Sequence, residues 1–199
     1  MLNDTMIIMK KLFFYSLFLM MFITACDSPE PNELYFVGDS HVARWDLKQW
    51  FAACVTHNEG VSGSGIDYIE SRVGEYNGCD VVVVTGTNDL WSMSVAEEDK
   101  YVERYITALK GLNAGHIYLF SIFPRGSRYV EGEFTSNERI ARLNNKIQAE
   151  VALLSGITYI DVFALLLRNG TLHDAYTYDG LHLSIEGYEL ITNQLKKQL

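Results

Sequence analysis

Four consecutive valines, residues 81–84, lie between Asp80 and Gly86 and leave few choices of fold. Successive side chains of a strand point to opposite faces, so a strand of this composition is apolar on both faces. Such strands are typical of parallel sheets that are covered by helices on either side. We therefore predict a buried strand over residues 80–85.

Four further short apolar segments are predicted to be strands, and segments with helical periodicity separate them. The other predicted strands are residues 34–37, 54–56, 116–121 and 157–161. Apolar residues spaced three and four apart predict helices within residues 101–109, 140–154 and 185–195. This alternation predicts an α/β fold, a three-layer α/β/α sandwich with a five-stranded parallel sheet. Ligands of such sheets bind beyond the carboxyl ends of the strands.

The composition is that of one globular domain with a substantial core. Of the 199 residues, 48% are hydrophobic and 13% aromatic, which excludes a mainly disordered chain. The net charge is −9, and no basic cluster follows the first few residues. Because phosphate binding needs a positive surface, we expect no nucleic-acid partner.

The amino terminus has the features of a secretory signal. An apolar run over residues 12–25 follows Lys10 and Lys11 and is too short to span a bilayer as a helix. It ends in Ile-Thr-Ala before Cys26, a pattern that resembles a bacterial lipobox. We predict a signal peptide at 1–25, a lipid on Cys26, a tether at 26–33 and a catalytic domain at 34–199. The alternative is an ordinary signal peptide without lipidation of Cys26.

Two further cysteines, Cys54 and Cys79, remain in the predicted domain. An even number of cysteines in an oxidising compartment favours a disulfide. Both residues also adjoin predicted buried strands, where free thiols are common. The sequence leaves the disulfide and the pair of free thiols open.

Polar residues follow three of the predicted strands. Ser40 follows the first strand, in Gly-Asp-Ser-His, and is either a nucleophile or an N-cap. Gly63 belongs to a glycine-rich second loop, either close to a ligand or simply structural. Asn88, after the valine strand, is either an oxyanion donor or a cap. Near the last helix, Asp179 precedes His182 by three residues, and such a carboxylate can orient the imidazole.

Taken in this order, the motifs resemble those of the SGNH/GDSL hydrolase family over about residues 34–198. Ser40, Gly63, Asn88 and His182 match the four residues after which the SGNH family is named. His41 is a departure, since the GDSL motif has Leu at that position. The resemblance implies a flavodoxin-like SGNH hydrolase fold, in agreement with the predicted strands.

The resemblance also implies an activity and roles for the matched residues. Ser40, His182 and Asp179 would form a catalytic triad, and Ser40, Gly63 and Asn88 would form the oxyanion hole. No cofactor and no metal would be needed.

We therefore predict a serine ester hydrolase acting on a small ester, for example an acetylated glycan, in the bacterial cell envelope. It would be tied to the membrane through Cys26 and face the periplasm or the exterior. The alternatives are a lysophospholipase or lipase-like hydrolase, a sugar O-acyltransferase using the same site, and a non-catalytic binding lipoprotein. A second Asp–His pair, His173 and Asp174, is a weaker triad candidate.

Overall fold

A computed structural model describes residues 33–130 and 135–199, which form an α/β fold around a five-stranded sheet. The strands are β1 Glu33–Gly38, β2 Val55–Gly60, β3 Asp80–Val84, β4 His116–Phe120 and β5 Ile157–Ile160. All pairs are parallel, in the order β2-β1-β3-β4-β5. The predicted sheet is therefore confirmed. The signal peptide, Cys26 and the tether up to residue 32 lie outside the described residues.

Helices connect the strands and cover the sheet. They are α1 Ser40–Ala43, α2 Leu47–Trp50, α3 Ile66–Ser71, α4 Glu98–Gly111, α5 Asn137–Val151, α6 Phe163–Leu166 and α7 Ile185–Lys196. A short antiparallel pair, β6 Leu167–Arg168 and β7 Thr171–Leu172, precedes the last helix. Four 3₁₀ turns complete this part of the chain: Asp89–Trp91, Val95–Glu97, Ser127–Tyr129 and Asp174–Tyr176.

The valines of β3 divide between two cores, as the run of four predicted. Val81 and Val83 pack in the core that includes α4 and α5 residues, whereas Val82 and Val84 pack in the core that includes α7 residues. All four are buried. Burying one such side chain contributes about 1.5–3 kcal/mol, so both faces of the sheet stabilise the fold.

Several boundaries differ from the sequence prediction, and three of these differences have a clear structural cause. Glu33, predicted as the last tether residue, begins β1 because it pairs with Val55. Strand β2 runs on to Gly60, since its polar residues continue the parallel pairing with β1 at the sheet edge. Helix α5 ends at Val151, and Leu154 packs against the core from the turn that follows.

Cys54 and Cys79 are free thiols in this structure. Each is half-buried and precedes a strand, but they pack against different cores, Cys54 with the α7 side and Cys79 with the α4–α5 side. The sheet therefore separates the two sulfur atoms. Across the described part of the chain, no helix is long and apolar enough to cross a bilayer.

A buried carboxylate joins α4 to α5. Glu98, at the start of α4, accepts hydrogen bonds from Arg139 at 2.9 Å, Arg142 at 3.0 Å and Lys146 at 3.2 Å. Burial alone would raise the pKa of Glu98, but these three cations lower it below its usual value. Glu98 and Arg139 are both almost fully buried, so this contact is the interior part of the cluster.

We expect Glu98→Gln to lower the free energy of unfolding by about 3–5 kcal/mol, because it removes the buried carboxylate to which Arg139 donates. Urea unfolding measures this loss. Glu103→Gln, an exposed change on the same helix, is the matched control and should alter stability by less than about 0.5 kcal/mol. Equal stabilities of the two variants would show that the cluster contributes nothing.

Candidate active site

Ser40 lies just beyond the carboxyl end of β1, at the edge of the sheet where the parallel strands end. Gly38 ends the strand, and a Cβ there would lie 1.9 Å from the carbonyl oxygen of Val84, so only glycine fits. The N–H of Asp39 then donates to that same oxygen at 3.1 Å. Ser40 follows as the first residue of α1, with Asp39 as the N-cap of that helix.

Ser40, His182 and Asp179 form one hydrogen-bonded line. His182 Nε2 lies 3.1 Å from Ser40 Oγ, and His182 Nδ1 lies 2.7 Å from Asp179 Oδ2. Because an ionised carboxylate only accepts, Nδ1 carries the proton and Nε2 presents its lone pair to the serine hydroxyl. The structure thus brings together the three residues predicted as a triad.

Asp179 is held in its ionised state by its surroundings. Its other oxygen, Oδ1, accepts the backbone N–H groups of Leu181 at 2.8 Å and His182 at 2.7 Å. Partial burial raises the pKa of Asp179, but the hydrogen bonds from His182 and from the two backbone groups outweigh it and lower the pKa to about 2. The carboxylate is therefore charged at neutral pH.

The loop that carries His182 is fastened at several points. Thr177 Oγ1 donates to the carbonyl oxygen of His182 at 2.7 Å and accepts the N–H of Gly180 at 2.9 Å. The N–H of Gly126 donates to the carbonyl of Gly180 at 2.7 Å. Tyr178 stacks on the His182 ring, with centroids 5.9 Å apart, and is itself largely exposed. One wall of the site is therefore aromatic and open to solvent.

The loops of Gly63 and Asn88 meet beside the Ser40 turn. Asn88 Nδ2 donates to the carbonyl of Ser64 at 2.8 Å, and Ser64 Oγ donates to the carbonyl of Gly38 at 3.1 Å. Gly63 has φ +84°, and open space surrounds the position of a Cβ there. Because β1 lies between β2 and β3, the loops that follow these three strands share one edge of the sheet.

Asp89, next to Asn88, anchors the glycine loop. Both of its carboxylate oxygens lie 3.1 Å from the N–H of Ile66, and the hydroxyl of Tyr101 donates to it at 2.8 Å. A Cβ on Gly65 would lie 2.1 Å from an Asp89 oxygen, so this glycine permits the contact. Burial raises the pKa of Asp89 despite the bonds from Tyr101 and Ile66.

Comparison with known families decides the classification. The profile of the GDSL-like lipase/acylhydrolase family matches residues 36–190, a span that includes Ser40, Asn88 and His182. The chain belongs to this family. This family is described as one of lipases and acylhydrolases, and the resemblance predicted from the motifs is confirmed.

Two solved structures have folds similar to that of this chain. The chain is similar to a putative acylhydrolase from Bacteroides fragilis, with a TM-score of 0.71 and 21% identity over 86% of this chain and 90% of the other. It is also similar to Axe2, an acetylxylan esterase from Geobacillus stearothermophilus, with a TM-score of 0.58 and 16% identity over 84% and 93%. At these identities the likeness is one of fold.

A curated relative in sequence is an N-acylneuraminate cytidylyltransferase from Escherichia coli. It is 29% identical over 177 residues, which cover 82% of this chain. The match covers only 39% of that protein, so this chain spans about two fifths of the relative's length.

Arg125 lies beside the loop that carries Asn88 and was not identified from the sequence. It is fully buried after β4, donates to the carbonyl of Thr87 and lies 4.3 Å from the centre of the Trp91 ring. Its Nε and Nη1 have no hydrogen-bond partner among the described residues. Burial, with the nearby charge of Arg139, lowers the pKa of Arg125 to about 10. No sequence signal pointed to it, since a loop arginine is ordinarily exposed.

Three further histidines have partners outside the proposed triad. His173, the weaker triad candidate, contacts Arg168 at 2.9 Å and accepts the N–H of Ala175. His57 stacks on Tyr35 within the sheet, and His116 bonds Thr158 at the amino ends of β4 and β5. The described residues contain no group of three or more His, Cys, Asp or Glu side chains placed to hold a metal.

Proposed function

We propose that this protein hydrolyses small carboxylic esters through an acyl-enzyme formed on Ser40. The observation that carries the proposal is the line from Asp179 through His182 to Ser40, with separations of 2.7 and 3.1 Å. A serine hydroxyl is a weak nucleophile until an adjacent base takes its proton, and this geometry supplies that base.

The reaction would begin when Ser40 Oγ attacks the ester carbonyl and its proton passes to His182 Nε2. Asp179, ionised at neutral pH, would stabilise the imidazolium without becoming protonated. The tetrahedral intermediate would collapse as its C–O bond breaks and His182 returns the proton to the leaving alcohol. A water molecule would then attack the carbonyl of the acyl-enzyme while His182 takes its proton. The bond to Ser40 would break as His182 returns that proton to Oγ, and no cofactor would take part.

The developing oxyanion would be stabilised by the backbone N–H groups of Ser40 and Gly63 and by the side chain of Asn88. Asn88 uses one amide hydrogen on the carbonyl of Ser64, so the second remains for the substrate. Preorganised donors of this kind stabilise the transition state more than the ground state.

We further propose that the substrate is a small acyl ester of an extracellular glycan. The half-exposed Trp91 and the exposed Tyr178 place aromatic surface close to the site, which suits the apolar faces of a sugar. An acetylxylan esterase has a similar fold, and an N-acylneuraminate cytidylyltransferase is similar to this chain in sequence. These names support an acylated sugar as the alcohol part.

A fluorophosphonate probe and a substrate series test the proposal. The wild type should be labelled, Ser40→Ala should not, and Ser92→Ala, an exposed serine after Asn88, should be labelled like the wild type. Acetate esters of nitrophenol should be cleaved faster than long-chain esters, and acetylated polysaccharides should release acetate. Labelling of Ser40→Ala would refute the nucleophile. A preference for long chains would favour a lysophospholipase or lipase, and acyl transfer to an added sugar would favour a transferase.

We also propose that the enzyme works in the bacterial cell envelope, held to a membrane by a lipid on Cys26. The acidic net charge of −9 would repel anionic headgroups, so the lipid would be the main attachment.

Cys26→Ser should therefore move the processed chain from the membrane fraction to the soluble fraction, with ester hydrolysis unchanged. Cell fractionation followed by immunoblotting measures this shift. Cys54→Ser is the matched control and should stay with the membrane. Retention of processed Cys26→Ser chain in the membrane would show that something other than the lipid holds it.

A further inference from the structure

A second Asp–His pair lies directly beside the proposed triad. Asp39 and His41 flank Ser40 in the chain, and their side chains are only 1% and 2% exposed. His41 Nδ1 lies 3.0 Å from Asp39 Oδ1, which also accepts the backbone N–H of His41 at 2.8 Å. The triad does not use either side chain, so the pair needs its own explanation.

The other ring nitrogen of His41 reaches across to the loop of His182. His41 Nε2 lies 3.0 Å from the carbonyl oxygen of Leu181, the residue immediately before His182. The centroids of the His41 and His182 rings are 5.8 Å apart. A single side chain therefore bridges the turn that carries Ser40 and the loop that carries His182, since His41 and Leu181 are 140 positions apart in the chain.

The chemistry of the partners determines the protons on the ring. A carbonyl oxygen only accepts, so Nε2 must carry a hydrogen. Asp39 Oδ1 also accepts the backbone N–H of His41, and with Asp39 ionised this oxygen can only accept, so Nδ1 donates to it as well. With both hydrogens in place, His41 is an imidazolium paired with the Asp39 carboxylate. If one hydrogen were lost, a ring lone pair would face an oxygen lone pair at 3.0 Å.

Groups from three elements surround His41, and Tyr188 among them contacts its backbone rather than its ring. Asp39 lies in its own turn, Asp179 and His182 lie in the loop before α7, and Tyr188 of α7 donates to the His41 carbonyl at 2.8 Å. The uncharged ring of Phe123 packs edge-to-face with the His41 ring, with centroids 4.9 Å apart. Burial would lower the pKa of His41, but Asp39, the Leu181 carbonyl and Asp179 outweigh it and raise the pKa above 6.5.

We propose that His41 is a positioning residue whose two ring protons hold the His182 loop against the Ser40 turn. Loss of one of these protons at alkaline pH removes the hold of His41 on this loop and lowers the activity. The inference rests on the proposed esterase function. His182 must lose its proton to act as a base, whereas His41 must keep both of its own. The pH profile of kcat should therefore be bell-shaped, with His41 responsible for the alkaline limb.

Two substitutions separate the hydrogen bond from the titration. In His41→Gln, the side-chain amide can still donate to the Leu181 carbonyl but does not titrate. This variant should keep kcat within about tenfold of the wild type and lose the alkaline limb. His41→Leu, the residue of the GDSL motif, should lower kcat by about 10- to 100-fold with little change in KM, because the loop is less well oriented. His173→Gln is the matched control and should leave the profile unchanged.

A double variant tests whether the loss of kcat in His41→Leu comes only from a loss of folding. His41→Leu, like His41→Gln, leaves Asp39 as a buried carboxylate without its cation. The double change Asp39→Asn with His41→Leu removes both charges and still allows residue 39 to cap α1. The double variant should be folded by circular dichroism and should show the same loss of kcat as His41→Leu. A folded double variant with wild-type kcat would overturn the positioning role.

Nuclear magnetic resonance of ¹⁵N-labelled histidine gives a readout that does not depend on activity. At pH 7 both ring nitrogens of His41, assigned from their loss in His41→Gln, should show imidazolium shifts. They should titrate at the pH of the alkaline limb. A neutral His41 ring at pH 7, or an unchanged alkaline limb in His41→Gln, would overturn the proposal. If Ser40→Ala kept its esterase activity, the proposed function would be refuted instead. The protonation state of His41 could still be measured by the same NMR experiment, so the two failures are distinguishable.

Discussion

Replacing Ser40 or His182 by alanine is expected to lower kcat for ester hydrolysis by about 10⁴- to 10⁶-fold. The two side chains act as one unit, because the hydroxyl is activated only through the Nε2 atom 3.1 Å away. The double variant should therefore be no slower than either single variant. Steady-state kinetics with a nitrophenyl acetate substrate measures all three.

The fold should survive these changes, because each truncates one polar side chain in the turn or loop beyond the carboxyl ends of the strands and leaves the apolar cores intact. His173→Ala is the matched control, since His173 also follows an element near the carboxyl edge but bonds Arg168 and Ala175. It should retain wild-type kcat. A crippled His173→Ala variant together with an active His182→Ala variant would show that the base had been assigned to the wrong histidine.

Asp179→Asn is expected to lower kcat by up to about 10⁴-fold while leaving KM nearly unchanged. The asparagine amide can donate to His182 Nδ1, which would place the ring proton on Nε2, where the base must be free. The backbone N–H groups of Leu181 and His182 can still bond the remaining side-chain oxygen, so the loop should keep its shape.

The measurement is kcat across pH for the wild type and Asp179→Asn. Since the pKa of Asp179 is lowered to about 2, protonation of this carboxylate should not limit the wild type until the pH falls toward that value. The stability that its ionised form contributes should likewise persist above its ordinary pKa of 3.8 and be lost as the pH falls toward 2. A loss of kcat below about tenfold would mean that another group orients His182.

Much of the architecture was predictable because its causes are local. The valine run indicates a strand buried on both faces, and Val81 and Val82 do pack on opposite sides of the sheet. The apolar stripes of α4, α5 and α7 follow the helical period, which each helix needs in order to cover the sheet. Strand β2 was underestimated, because hydrogen bonding to β1, rather than apolar periodicity, defines its length.

Part of the candidate site was likewise predictable from local sequence, and part was not. Asp179 and His182 are three positions apart, so a short turn suffices to join them, and the spacing alone indicated the pair. Ser40 and His182 are 142 positions apart, and only the family resemblance linked them before the structure placed them in contact.

The sequence by itself determined the fold class, the strand that ends at the Ser40 turn and the family to which the chain belongs. The tertiary structure decided the strand order, the separation of Cys54 from Cys79, and the burial of His41 and Arg125. The physical reason is that periodicity and short motifs report the local preferences of the backbone. Burial and hydrogen-bond partners depend on which distant segments the sheet order brings together, as the contact of His41 with the Leu181 carbonyl illustrates.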